Sequence, residues 1–199
     1  SSENRPVTGT TPGEVRVYKY NGMGWDQMGA PINRQGDSHS WAAIGFGSAI
    51  SLSGSGYKIA IGNKSDAGNI GRVYIFEFNG ILWKALGNIL EGSQTYSKLG
   101  KTISLNYDGT RIICGSELDP GDSVQQGKIV VYDYNASSNT WNKIGDINGS
   151  AQKENWGSIV KISGDGSTII SQGSYYNNNS VNTYSSSNIS RIIRVYKHN

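Results

Sequence analysis

An all-β fold made of repeated antiparallel sheets is predicted by three features of this sequence. A glycine-led run ending in Val-Tyr, Ile-Phe or Val-Tyr begins at Gly13, Gly71 and Gly127, and a shortened copy begins at Arg191. Tyr, Ile, Val and Thr are concentrated in short runs between turn residues, which is typical of strands. The 199 residues include 27 glycines and only 4 prolines, a composition that allows many tight turns and few breaks inside the strands.

The spacing of the copies indicates a β-propeller. Successive copies are about 56–64 residues apart and each contains about four strand-like runs, as in propeller blades. We therefore predict a partial propeller of about 13 antiparallel strands, with two complete four-stranded blades and two incomplete ones. The whole chain, 1–199, is then a single propeller segment. Its repeats cover approximately 13–70, 71–126 and 127–190, with a partial repeat at 191–199.

The first strand of each repeat alternates apolar and polar residues. Ile50 and Leu52 in one copy correspond to Ile103 and Leu105 in the next, which is the period of two that a strand imposes. A tight turn follows each time, and the Asp108-Gly109 pair is suited to it because glycine adopts positive φ without steric cost. A short apolar second strand comes after the turn.

The third strand is apolar on both faces. Val73 and Ile75 point to one side, and Tyr74 and Phe76 point to the other. A strand of this kind belongs to a sheet that is covered on both sides, and neighbouring blades would provide the cover. We predict structural roles for the equivalent tyrosines of this strand, Tyr18, Tyr74 and Tyr132.

The fourth strand carries a tryptophan that is followed four residues later by glycine. Because this tryptophan recurs at one position of the repeat, we predict a structural role for it in each copy. The three residues are Trp25, Trp83 and Trp141.

Together these runs resemble the propeller repeats found in many secreted, cell-surface and large-virus proteins. The pattern Phe46-Gly-x-x-Ile-x-Leu-Ser, followed by Ile-Ala-Ile-Gly, Gly-x-Val-x-Val-Tyr and Trp-x-x-x-Gly, covers nearly the whole chain. The strand order is similar to that of WD-repeat propellers, although the Gly-His and Trp-Asp signatures are absent. The resemblance implies a fold and an extracellular, cell-surface or virion location, but no activity, because propellers host many unrelated functions.

The two ends of the chain are expected to contact other protein. On the propeller template the chain opens inside a blade and closes on a blade of three strands, so we predict the C-terminal part of a longer propeller. A ring of short chains and an arc capped by another protein are the alternatives. The partner is then a set of missing blades, another copy or a different protein. It would cover Val15 and Val17 at one end, and Ile169, Ile193 and Val195 at the other.

Composition indicates neither a nucleic-acid partner nor a membrane span. The formal net charge is +3, and no run rich in Lys and Arg is present, so an anionic partner is not implied. No apolar run approaches the ~20 residues of a transmembrane helix. The single cysteine, Cys114, excludes an intramolecular disulfide and occupies a packing position in the repeat.

The candidate ligand-binding residues lie on the long connections, which share one face of a propeller. Tyrosines mixed with amides could stack on a sugar and hydrogen-bond to it; the alternative is a polar insertion without a ligand. Trp41, near His39, is either an exposed anchor or a residue that folds back over its blade. The candidates are Trp41, His39, Tyr175, Tyr176, Asn178 and Tyr184.

Catalytic and metal-binding patterns are sparse. His39 and His198 are far apart in the sequence and neither has metal-ligand spacing around it. Glu117, Asp119 and Asp122 form an acidic loop that is a weak candidate for Ca²⁺ and is also compatible with solvated acids. No cofactor is predicted.

The sequence thus favours a non-enzymatic propeller module for protein–protein binding or structural assembly. The alternative is a carbohydrate-binding, lectin-like propeller that uses the long-loop face. A propeller enzyme is the third hypothesis, because no paired carboxylates, triad or metal cluster is visible in the sequence.

Overall fold

The computed structural model describes residues 13–33, 45–118, 126–150, 154–176 and 189–197. This part of the chain is all-β, with 16 strands that pair antiparallel and one four-residue helical segment, α1 (Asp66–Asn69). None of its helices is long and apolar enough to cross a membrane. The predicted all-β class is confirmed. The described strands form several separate sheets, and no propeller arrangement is shown among them.

The strands are grouped in an N-terminal hairpin and three larger sheets. The N-terminal hairpin pairs β1 (Glu14–Val15) with β4 (Ile32–Asn33), and β2 (Tyr18–Tyr20) with β3 (Trp25–Gln27). The first sheet contains β5 (Ala49–Leu52), β6 (Lys58–Asn63), β7 (Arg72–Phe78), β8 (Trp83–Ala85) and β9 (Leu90–Glu91). The second sheet has the order β10 (Thr102–Leu105), β11 (Arg111–Ser116), β12 (Lys128–Asn135) and β13 (Thr140–Asn148). The third sheet has the order β14 (Ile159–Ile162), β15 (Thr168–Tyr176) and β16 (Ile189–Lys197).

Sixteen strands are described where about 13 were predicted, because three predicted strands are interrupted. Two interruptions fall in fourth strands, at Gly29 and Gly87, whose φ angles are +70° and +75°. The left-handed backbone there breaks the ladder between β3 and β4 and between β8 and β9. In the second sheet the equivalent strand, β13, continues through Gly145, and a shift in pairing register between Val131 and Tyr132 absorbs the irregularity.

The sheets pack face to face in chain order through three apolar clusters. The N-terminal hairpin packs on the first sheet, with Val15 and Val17 against Ile59 and Ile61. The first sheet packs on the second, and the second packs on the third. Both faces of β7 and β12, the third strands of the first and second sheets, are therefore covered, as their two-sided apolar pattern predicted. The first-to-second cluster includes Ala60, Val73, Ile75, Ile103, Leu105, Ile112 and Cys114, and the second-to-third cluster includes Ile113, Ile129, Val131, Trp156, Val160 and Ile169.

The two ends of the described chain differ in exposure. Val15 and Val17 are buried by the first sheet of the same chain, and Ile169 is buried by the second. No other protein is required to cover these three residues. Ile193 and Val195 on β16 are 62% and 64% exposed. Apolar surface therefore remains at the C-terminal sheet. The partner protein expected there stays a prediction.

Two of the three fourth-strand tryptophans, Trp83 and Trp141, pack across sheets on a glycine of the preceding unit. A Cβ atom on Gly87 would lie 2.7 Å from Cδ1 of Trp141, and one on Gly29 would lie 3.5 Å from Cδ1 of Trp83. Trp141 is 3% exposed, whereas Trp25, which packs on no earlier sheet among the described residues, is 69% exposed. The three residues are equivalent in the sequence repeat but not in burial.

Candidate functional site

A polar hollow of about 320 Å³ lies at the end of the second and third sheets where their first turns meet. The turns joining β10 to β11 and β14 to β15, the start of β11 and the end of β12 line it. Its lining is almost entirely polar. The lining residues are Asn106, Asp108, Thr110, Arg111, Asp133, Tyr134 and Asp165.

Arg111 is the central charge of this hollow. Its Nε and Nη2 atoms donate to the two carboxylate oxygens of Asp133, at 2.6 and 2.7 Å, and its Nη1 donates to the carbonyl oxygen of Gly166 at 3.0 Å. The bidentate geometry fixes the guanidinium plane. The hydrogen bonds that Arg111 donates to Asp133 are the main reason why the pKa of Arg111 is raised above its ordinary value. The guanidinium thus stays charged and also bridges the second and third sheets.

Asn106 shapes the turn that carries Asp108 into the hollow. The Asn106 side-chain oxygen accepts hydrogen bonds from the backbone N–H groups of Thr110 and Arg111, both at 2.9 Å. This Asx-type arrangement replaces a backbone partner and closes the turn. It also fixes the residue at which β11 begins, so the direction of the Arg111 side chain depends on the preceding turn.

Asp165 provides an ionised carboxylate on the rim. Hydrogen bonds from the Ser163 hydroxyl, the Ser167 backbone N–H (3.0 Å) and the Ser167 hydroxyl (2.8 Å) lower the pKa of Asp165 to about 2. Three carboxylates and one guanidinium line the hollow, so acceptors outnumber cationic donors. Such a lining suits a ligand rich in hydroxyl groups.

We expect replacement of Ser163 by alanine to raise the pKa of Asp165, because the hydrogen bond that lowers this pKa most is lost. The side-chain carboxyl shift of Asp165, followed by NMR, should titrate at about 2 in the native chain. Since the pKa is depressed on folding, the stabilisation that accompanies it is present above the unfolded value of 3.8 and is lost as pH falls through about 2. Ser138→Ala is the control, because the hydrogen bonds of Ser138 are with Asn135 and Thr140. An unchanged titration in Ser163→Ala would contradict the assignment.

The opposite end of the first sheet holds a second network, which is closed. Asp66 is 1% exposed; it accepts a hydrogen bond from the Tyr74 hydroxyl, and its other oxygen lies 3.8 Å from Nη1 of Arg72. Arg72 also donates through Nε to Glu91 at 2.9 Å. These contacts tie α1 to β7 and β9. The buried acid is therefore used to hold a loop.

A comparable closed cluster lies on the third sheet. Glu154 is fully buried and pairs with Arg194 at 2.6 Å, and the Arg194 guanidinium stacks over the Trp156 ring, 4.5 Å from its centroid. Ser150 donates to Glu154 through its backbone N–H and its hydroxyl. Arg194 therefore attaches β16 to the segment before β14, and the structural role explains the buried charge.

Most of the predicted ligand-binding residues lie outside the described residues. These are His39, Trp41, Asn178 and Tyr184, together with the acidic candidates Asp119 and Asp122. Tyr175 and Tyr176 end β15, where they pair with Ser190 and Ile189. The predictions for these residues remain predictions.

The remaining predicted residues have partners within the fold. Glu117 forms an ion pair with Lys101. Cys114 is fully buried, and burial raises its pKa, so it does not supply a thiolate. Burial likewise raises the pKa of Tyr132, whereas Tyr18 is 45% exposed. Across the described ranges, no group of three His, Cys, Asp or Glu side chains is placed to hold a metal ion.

The hollow at Arg111 was missed by sequence reasoning. Asp108 was interpreted as a turn residue, and neither Asp165 nor Arg111 was singled out as a candidate. A signal was present, because the two aspartates occupy the same position of successive repeats. What the sequence does not contain is the packing of two sheets that brings both turns beside Arg111.

The comparisons with known proteins give a fold but no family. No protein-family model matches the chain, and no curated protein is similar to it. The chain is similar to the crystal structure of a "putative 6-phosphogluconolactonase" from Bacteroides uniformis ATCC 8492, with a TM-score of 0.55 and 11% sequence identity. The similarity covers 95% of this chain and 53% of that one. At this identity the likeness concerns the fold alone, and the chain spans about half the length of the structure that it matches.

This finding corrects the interpretation of the sequence. The identification as a secreted, cell-surface or large-virus propeller repeat was wrong, because the fold is shared with a structure named as a lactonase. The prediction of a non-enzymatic module for protein binding or assembly is overturned by the same similarity, and so is the prediction that the chain is not an enzyme. The lectin-like alternative finds no support in it either. The physical reason is that repeated strands specify a scaffold, whereas chemistry depends on side chains at its turns.

Proposed function

We propose that this chain forms part of a hydrolase that opens a lactone derived from a sugar. The observation that supports it most is the similarity, over 95% of the chain, to the structure named as a putative 6-phosphogluconolactonase. The polar hollow at Arg111 adds a place for such a substrate. Its volume of about 320 Å³ suits a molecule the size of one sugar ring.

The lining of the hollow supports a polyhydroxylated substrate. Asp165 stays ionised over the neutral range because its pKa is about 2, so it accepts hydrogen bonds from hydroxyl groups. The low pKa also makes Asp165 a poor base. Asp133 is occupied by Arg111 through both oxygens. Asp108 is the remaining carboxylate of the lining, and we assign it the activation of the attacking water.

Arg111 is assigned the stabilisation of the transition state. Attack of water on a lactone carbonyl places negative charge on the carbonyl oxygen, and a fixed cation nearby lowers that barrier. Three of the five Arg111 N–H groups make the hydrogen bonds described above. The guanidinium can present the others to the hollow without losing its orientation.

Hydrolysis of δ-gluconolactone and of 6-phosphogluconolactone tests this proposal, with proton release followed in a pH-stat. We expect a rate above the uncatalysed one, and a loss of about 100-fold in kcat/KM for Arg111→Met, the size typical of a lost oxyanion donor. Asp108→Asn should lower kcat with little change in KM.

Arg72→Met is the matched control, because Arg72 also pairs with a carboxylate across strands but lies on the first sheet, at the end opposite to the β5–β6 turn. Its hydrolysis rate should equal that of the native chain. Urea unfolding of each variant distinguishes lost chemistry from lost folding. Absence of hydrolysis above background by the folded native chain, or equal losses in Arg72→Met and Arg111→Met, would refute the proposal.

A further inference from the structure

An apolar groove of about 240 Å³ runs beside the outer edge of β16. Val131, Ile144, Gly145, Ile169 and Tyr196 are among its lining residues. Within the described ranges β16 pairs only with β15, so its other edge presents free N–H and C=O groups. The groove and the open edge lie together.

Two grooves of the same kind inside the molecule are filled by tryptophan. The indole of Trp83 packs on Gly29 and donates its Nε1–H to the carbonyl oxygen of Met28 at 2.7 Å. The indole of Trp141 packs on Gly87 and donates to the carbonyl oxygen of Leu86 at 3.0 Å. Each tryptophan stands on the fourth strand of the following sheet, and each acceptor immediately precedes the glycine.

Gly145 is the next glycine of this series, and its surroundings are open. Among the described residues, no heavy atom lies within 4 Å of the position that a Cβ would take there, apart from its chain neighbours. Ile144, which precedes it as Leu86 precedes Gly87, is 48% exposed. The third sheet has three strands in the described ranges, so it offers no fourth-strand tryptophan to the groove.

We propose that this groove binds an extended peptide segment that carries a tryptophan and adds antiparallel to β16 as a fourth strand. The indole packs on Gly145 and donates its N–H to the Ile144 carbonyl oxygen, which repeats the arrangement at Leu86 and Gly87. Backbone hydrogen bonds along the β16 edge supply affinity, and the indole pocket supplies selectivity. The fourth strands β8 and β13 already pair antiparallel to their third strands, which fixes the direction of the added one.

A fluorescein-labelled peptide with the sequence of residues 139–149 is the probe, since it contains Trp141 and the glycine that follows it in the repeat. Fluorescence anisotropy should show saturable binding below about 1 mM to the native chain. Replacing the tryptophan of the peptide by alanine (W141A) should weaken binding at least about tenfold.

Gly145→Val in the protein should weaken binding by a similar factor, because its methyl groups would fill the indole position. Gly145 lies in a strand without positive φ, so valine is compatible with folding there, and urea unfolding checks this. Gly24→Val is the matched control: Gly24 also has open space around it and no positive φ, but it lies on the N-terminal hairpin. Its affinity for the peptide should be unchanged.

The oligomeric state of the native chain, measured by sedimentation, completes the test. A native oligomer that Gly145→Val converts to a monomer supports the proposal and identifies a second copy as the source of the strand. Three results overturn it: a monomeric native chain that binds no peptide up to about 1 mM, equal affinity for the W141A peptide, or equal affinity of the Gly145→Val protein.

Discussion

Replacing Trp141 by alanine is expected to lower the free energy of unfolding by about 3–5 kcal/mol. The side chain is 3% exposed, its Nε1 donates to the Leu86 carbonyl oxygen, and its ring lies 5.2 Å from that of Tyr134. Truncation would therefore leave a large cavity between the first and second sheets and an unpaired buried carbonyl group. Urea unfolding monitored by circular dichroism measures the change.

Trp25→Ala is the control for this prediction, because Trp25 occupies the same position of the sequence repeat. Its side chain is 69% exposed and contacts Tyr20 at a ring distance of 5.5 Å. We expect a loss below about 1 kcal/mol, since little apolar area leaves water when the residue is in place. Equal losses of unfolding free energy in Trp25→Ala and Trp141→Ala would contradict the idea that packing on the preceding sheet sets the stabilising contribution of the tryptophan.

Gly127→Ala is expected to cost about 2–4 kcal/mol of unfolding free energy. Gly127 has φ +76°, and a Cβ on it would lie 2.3 Å from both the backbone nitrogen and the carbonyl oxygen of Trp156. The two residues form a parallel bridge between neighbouring sheets, so neither backbone can withdraw without loss of that contact. Thermal and urea unfolding of the variant provide the measurement.

Gly56→Ala separates the two causes of this cost. Gly56 has nearly the same φ, +77°, but no atom of the described part of the chain lies within 4 Å of its Cβ position. Its expected cost is about 1 kcal/mol, the penalty of left-handed backbone alone. The excess in Gly127→Ala then measures the close approach of the sheets. A Gly127→Ala variant as stable as Gly56→Ala would mean that the sheets separate more easily than their geometry indicates.

Local sequence chemistry predicts most of the strands and turns of this chain. Ile103 and Leu105 are buried on β10, the turn at Asp108-Gly109 joins β10 to β11, and the two faces of β7 are covered. These features depend on backbone preference and on residues near one another in the sequence. Ile50 and Leu52, which alternate in the same way on β5, are instead 60% and 47% exposed. The break after Gly29 could not be predicted from nearby residues in the same way, because Trp83, which packs on that glycine, stands in the next sheet.

The candidate site depended on tertiary structure. Arg111, Asp133 and Asp165 lie on different strands and turns, and the contact between Arg111 and Gly166 exists only because the second and third sheets pack together. The hollow was missed for the same reason, since turn aspartates look alike in the sequence whether or not a hollow forms between them. By itself the sequence determined the repeated all-β units. Sheet packing alone decided which equivalent residues became buried, which remained open, and where charges meet, because these outcomes depend on neighbours that are about 50 or more residues away in the chain.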